Sequence, residues 1–162
     1  MKNRIINLFI TAGVLLLIMS GCYSFSGGRL DFKTVGIPVV ENTTAEYRLS
    51  EIMTNTMITA VNNDGRVKVS DPEKAETVLE LVVTGYARVP FEYTSQEQVN
   101  QYKITVTAKA KLRSAAGKVL WESAGLSGWS AYQVSESDEE SGMKKAAENL
   151  AAEIIRQSFE SW

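Results

Sequence analysis

The 162-residue chain carries 17 Lys and Arg against 19 Asp and Glu, a net charge of −2, with no histidine and one cysteine. A mildly acidic balance gives no global electrostatic footprint for nucleic acid. Without histidine, and with a single thiol, the chain cannot build a zinc site or a Ser-His-Asp or Cys-His catalytic set, and Gly27-Gly28 reads as a linker rather than a phosphate loop. No metal, no other cofactor and no enzyme activity is therefore expected.

The first residues, Met1-Lys2-Asn3-Arg4, precede an apolar run from Ile5 to Met19. A short cationic segment, a brief hydrophobic stretch and small residues at a cleavage point are the parts of a secretory signal. The run is shorter than the roughly 20 apolar residues of a spanning helix. It ends in Met19-Ser20-Gly21-Cys22, which resembles the lipobox of bacterial lipoproteins, with Met19 where Leu is commonest. In that class, cleavage before the cysteine follows acylation of its sulfur. Cys22 has no partner for an intrachain disulfide, so a lone exported thiol is accounted for by lipid. Several acyl chains, at about 0.8 kcal/mol per buried methylene, amount to stable anchoring. Residues 1–21 are thus expected to be a signal peptide, 22–32 a lipidated N-terminus and tether, and 33–162 one domain. Tyr23 follows the cysteine where an Asp would favour inner-membrane retention, which points to the periplasmic face of the outer membrane.

Thr34 to Val40 is rich in β-branched residues but contains Pro38, so it reads as an edge strand or a bulged one. Thr43 with Glu46 fits a helix capping box. Leu49, Ile52, Met53, Thr56, Met57, Ala60 and Val61 then recur at helical spacing, and Asn63-Asp64-Gly65 supplies the stop. Met53 and Met57 at this spacing read as core rather than a ligand stripe.

Val67 to Val69 reads as a short strand before Asp71-Pro72. A long strand is predicted from Thr77 to Arg88, with Leu79, Leu81 and Val83 on one face and apolar groups on the other, as in a central strand. Val89 to Gln98 is expected to be a loop holding Pro90, Phe91 and Tyr93. From Gln101 to Arg113 the alternation is strict: Tyr102, Ile104, Val106, Ala108, Ala110 and Leu112 against Lys103, Thr105, Thr107, Lys109, Lys111 and Arg113. Period two means one packed face and one wet face. A turn at Ser114-Ala115-Ala116-Gly117 leads to a partner strand from Lys118 to about Tyr132. Ser137 with Glu140 fits a second capping box, and Ala146, Ala147, Leu150, Ala151, Ile154, Ile155 and Phe159 form the apolar face of a final helix. The expected fold is α+β: a two-layer sandwich with two helices packed on one face of a mostly antiparallel four-stranded sheet.

With those landmarks placed, the chain resembles the LPS-assembly lipoprotein LptE family. The resemblance rests on Cys22-Tyr23-Ser24-Phe25, on Ile37-Pro38-Val39-Val40-Glu41-Asn42-Thr43-Thr44 before the first helix, and on the extended Tyr102 to Leu112 strand. It continues through Gly117-Lys118-Val119-Leu120-Trp121, Tyr132 and the Ala-rich last helix. Many members have Gly directly after the cysteine, where this chain has Tyr23. The resemblance implies two helices on a four-stranded sheet and a lipoprotein that plugs an LptD-like outer-membrane barrel, helps it fold and contacts lipopolysaccharide. It implies no enzyme activity.

Lipopolysaccharide is a polyanion near its lipid end, so a binding face needs cations on a rigid surface. Lys103, Lys109, Lys111 and Arg113 project from one wet strand face, with residues two apart separated by roughly 6.6–6.8 Å. They are the candidate contacts to lipopolysaccharide or to an acidic barrel wall, against the plainer reading of a solvated face whose lysines discourage edge aggregation. Phe91 and Tyr93 are the candidate barrel-contact loop; of Trp121, Trp129 and Tyr132 near the last strand, at least one tryptophan is expected in the core. The alternative is a free-standing periplasmic binding or envelope-structural lipoprotein with no barrel partner. A hydrolase using Glu80 or Glu122 lacks a paired acid at useful spacing.

Overall fold

The structure, a computed structural model, describes residues 30–135 and 138–160. The segment containing Cys22 and the proposed cap at Ser137 lie outside the described residues. Eight elements follow in chain order: β1 (Thr34–Gly36), β2 (Glu41–Asn42), α1 (Leu49–Asp64), β3 (Lys68–Ser70), β4 (Thr77–Tyr93), β5 (Val99–Ser114), β6 (Val119–Gln133) and α2 (Glu139–Glu160).

The fold is α+β, as expected, but the sheet differs. It has six strands, not four, and it is mixed. Its order is β3-β1-β4-β5-β6, with β2 also alongside β4. β1 lies parallel to both β3 and β4, and β2 is parallel to β4, whereas β4, β5 and β6 form an antiparallel meander. The parallel pairs arise because α1 lies between β1 and β3 in the chain; a helix crossover returns the backbone in the same direction.

The expected first strand is broken rather than bulged. Residues 37–40, with Pro38 among them, separate β1 from β2, and both pieces line the same side of β4. β1 is not an edge, since β3 covers its other side, whereas β2 pairs with β4 alone. Thr43 does not cap α1. Its N–H and hydroxyl both donate to the Val83 carbonyl, at 2.9 and 3.0 Å, tying the chain to β4. Asn42 organises the turn instead, accepting from the Thr44 N–H at 3.0 Å and donating to the Glu46 carbonyl at 2.7 Å. The helix then runs from Leu49 to Asp64 and is closed by Gly65, whose φ of 74° favours a residue without a Cβ. At α2, Asp138 is the cap, accepting from the Ser141 N–H at 2.8 Å.

One hydrophobic cluster joins both helices to alternate residues of the long strands. α1 contributes Leu49, Ile52, Met53, Met57 and Val61; β5 contributes Ile104, Val106, Ala108, Ala110 and Leu112. Leu30 packs on the cluster and Phe32 is buried in it, its ring 5.8 Å from that of Phe159, so the chain joins the domain ahead of Lys33. Where α2 crosses β6 there is no space for a side chain. A Cβ on Gly128 would collide with the Ala146 carbonyl and the Leu150 backbone.

Phe91 and Tyr93 are not in a loop. β4 continues to Tyr93, and the connection is the short turn Thr94–Gln98. Pro90 is tolerated because β2 pairs no further along β4 than Val83, and a register shift follows between Pro90 and Glu92. From Ala87 to Gln98 every residue of β4 and of the turn is exposed, and only Arg88 among them reaches back to α2, at Glu139.

Candidate functional site: the open face of the sheet

The face of the meander turned away from the core carries the odd-numbered residues of β5. Cross-strand register sets their neighbours: Val89, Lys103 and Ala131 form one row, and Ala87, Thr105 and Trp129 the next. Further along, Val82 faces Lys109, and Glu80, Lys111 and Glu122 share a row.

The four predicted cations are all on this face but do not act as one group. Lys111 Nζ lies 3.2 Å from Glu122 Oε1, and Arg113 forms an ion pair with Glu80. Lys109 is exposed and has no carboxylate partner among the described residues. It occupies the β5 position between Ala108 and Ala110, where the β6 register shifts. Lys103 lies six residues from Lys109, about 20 Å along the strand. Its Nζ sits 4.6 Å from the centre of the Trp129 ring. The predicted basic row is therefore two neutralised cations, one unpaired lysine and one lysine over an indole.

Beside Lys103 lie Val89, in its own row, and the Trp129 ring, exposed by 47 and 51%; Phe91 and Tyr93, exposed by 54 and 58%, lie further along β4, where register shifts break the alternation. Trp129 was missed as a surface residue, although the alternation Leu126, Gly128, Ser130, Tyr132 against Ser127, Trp129, Ala131 carried the signal. Trp121 packs half-buried against the core instead.

A second cluster secures the start of α2. Tyr86 Oη donates to Glu139 Oε1 at 2.6 Å, and Arg88 Nε donates to Tyr132 Oη at 2.8 Å while lying 3.4 Å from Glu139 Oε2. The Arg88 guanidinium stacks 3.7 Å over Tyr102, whose ring in turn stacks on Tyr132 at 6.0 Å. Burial, and then the carboxylate of Glu139, push the Tyr86 phenol well above its ordinary range. Glu139 also sits in the first helical turn, where a negative charge complements the helix dipole. The cluster ties three strands to the start of a helix. Among the described residues no group of three potential metal ligands occurs, and no helix is long and apolar enough to cross a membrane.

A two-helix, mixed-sheet α+β domain is a fold also found among solved bacterial lipoproteins. The lipoprotein B structure from Nitrosomonas europaea aligns with a TM-score of 0.54 at 14% identity, covering 78% of this chain and 81% of that one. A hypothetical protein, CT253, from Chlamydia trachomatis aligns with a TM-score of 0.57 at 9% identity, over 79% and 96%. A PelC dodecamer from Paraburkholderia phytofirmans gives 0.51 at 16%, over 80% and 90%. At these identities the likeness is one of fold. No curated protein sequence matches the chain. The family model LptE, lipopolysaccharide-assembly, matches residues 32–158, and the chain belongs to that family of non-enzymatic lipoproteins.

Proposed function

We propose that the protein is an outer-membrane lipoprotein, anchored through lipid on Cys22, that serves as plug and folding partner of an LptD-like barrel and contacts lipopolysaccharide. The single observation that supports this most is the family match over residues 32–158, nearly all of the folded chain. The open face is consistent with it. A plug needs a rigid surface that is not committed to its own core, and this face offers exposed Trp129 beside Lys103 together with unpaired Lys109.

Lys103, Lys109, Lys111 and Arg113 are the proposed contacts to lipopolysaccharide or the barrel wall. Lys103 and Lys109 lead, because Lys111 and Arg113 must first release Glu122 and Glu80. Phe91 and Tyr93, on the projecting hairpin, are proposed to touch the barrel. The residues ahead of Leu30 serve as the tether that keeps the domain at the periplasmic surface.

The test is a pull-down of the lipidated chain from detergent-solubilised outer membrane. Co-elution of a large β-barrel, lost on Phe91→Ser with Tyr93→Ser, is expected. Recovery of the chain alone, with the barrel present in the same extract, would overturn the plug reading.

A further inference from the structure

β6 is the last strand of the sheet and pairs with β5 alone. Asn149 Nδ2 donates to the Trp129 carbonyl at 2.8 Å, so the Trp129 backbone points away from β5. In an antiparallel ladder alternate residues share this direction, which turns the backbone groups of Ser127 and Ala131 outward as well. Edge strands are normally protected by charge or proline. The run Gly125-Leu126-Ser127-Gly128-Trp129-Ser130-Ala131 has neither.

This edge forms one wall of a groove of about 590 Å³, and the other wall is built from Lys145, Asn149 and Glu153 of α2. The three are four residues apart and so form one stripe on the helix. Its order is a cation, an amide, then a carboxylate, with the amide standing over Trp129. A two-fold axis through Asn149 and Trp129 would bring Lys145 of one copy opposite Glu153 of the other, and the reverse. The same axis would set two β6 edges antiparallel, Ser127 against Ala131 of the second copy and Trp129 against itself. Backbone and charge pattern share one centre of symmetry.

We propose that the β6 edge pairs with the β6 edge of a second copy, forming a two-fold dimer with a continuous sheet and the α2 stripes facing each other. The occupant is another copy because the stripe is complementary to its own reverse. Lys145 pairs with Glu148 on its own helix in an exposed i,i+3 contact, weak enough to be shared; Glu153, half-buried, is held by Arg156 and by Gln157 Nε2 at 2.6 Å and still lines the groove. The Trp129 carbonyl has a second lone pair, so Asn149 does not block it. The dimer uses a margin of the sheet and does not depend on the proposed role of the open face.

The test is sedimentation of the full chain in detergent across a concentration series, with circular dichroism as the folding control. A dimer that dissociates on dilution is expected. Lys145→Glu and Glu153→Lys should each weaken it about tenfold, and the double exchange should restore it to within about threefold. Ser127→Pro, which removes an outward N–H and leaves the β5 ladder intact, should abolish it; Ser127→Lys serves if the proline variant does not fold. A chain monomeric at every concentration would overturn the proposal. So would a dimer indifferent to the Ser127 substitutions, or a double exchange as weak as the single ones.

Discussion

Lys103 holds its ammonium 4.6 Å from the centre of the Trp129 ring, across the β5–β6 ladder and on the side of the sheet opposite the core. An exposed cation–π contact of this kind contributes about 0.5–1 kcal/mol. Trp129→Ala should therefore lower unfolding stability by no more than about 1 kcal/mol in urea titration, although it deletes a tryptophan. A loss of several kcal/mol would mean that the indole is part of the core after all.

Lys109 and Lys111 make a matched comparison on one strand face. Lys109→Glu removes a cation with no carboxylate partner among the described residues, whereas Lys111→Glu leaves Glu122 facing a like charge. If lipopolysaccharide meets this face, Lys109→Glu should weaken capture on lipopolysaccharide-coated beads at physiological salt with little change in stability. Lys111→Glu should act mainly on stability, by about 0.5–1 kcal/mol. Equal capture by wild type and a Lys103→Glu/Lys109→Glu double variant would remove the lipopolysaccharide contact from this surface.

Gly128→Ala should be among the most damaging single-methyl additions. The added Cβ would collide with backbone of α2, which cannot swing aside as a flexible side chain could. Overpacking of this kind costs about 1–3 kcal/mol and occasionally more, and the upper end is expected because the neighbour is main chain. Chemical denaturation with an unchanged m-value would check it. Gly125→Ala is the control, since nothing stands within 4 Å of its added Cβ.

Tyr86 predicts an alkaline signature. Its folded-state pKa is raised above the ordinary 10.0, first by burial and then by Glu139, so the folded protein holds this proton more tightly than the unfolded chain. Its contribution is fully present below pH 10.0 and is lost as the pH rises above that value. Tyr86→Phe should cost about 1 kcal/mol at neutral pH, and the gap between the two proteins should shrink as the pH rises from 10.0 upward. A gap independent of pH would assign the effect to packing alone.

The elements that could be read from the sequence are those governed by local periodicity. The alternation from Tyr102 to Arg113 placed every inward residue of β5, and helical spacing placed Met53, Met57, Leu150 and Ile154 in the core. What periodicity does not contain is the partner of a strand. The parallel pairing of β1 with β3 depends on contacts between residues 34 and 68 and their neighbours, across the intervening helix. Pro38 signalled an interruption but not its form. Pro90 suggested a loop only because the free side of β4 at that point is a property of the assembled sheet. The candidate site was half legible for the same reason: the cations were on the right face, but Glu80 and Glu122 reach Arg113 and Lys111 from neighbouring strands.

The overhanging β4–β5 hairpin gives the domain a mechanical character. From Val89 to Tyr93 the ribbon extends roughly 15 Å past the start of α2. Its root is clamped by the Tyr86–Glu139 and Arg88–Tyr132 bonds, and its tip is closed by the Thr94–Gln98 turn. Such a ribbon is a lever: a tilt of the domain by about 10° would sweep the tip through about 3 Å. Small changes in how the domain is oriented are thereby magnified at Phe91 and Tyr93.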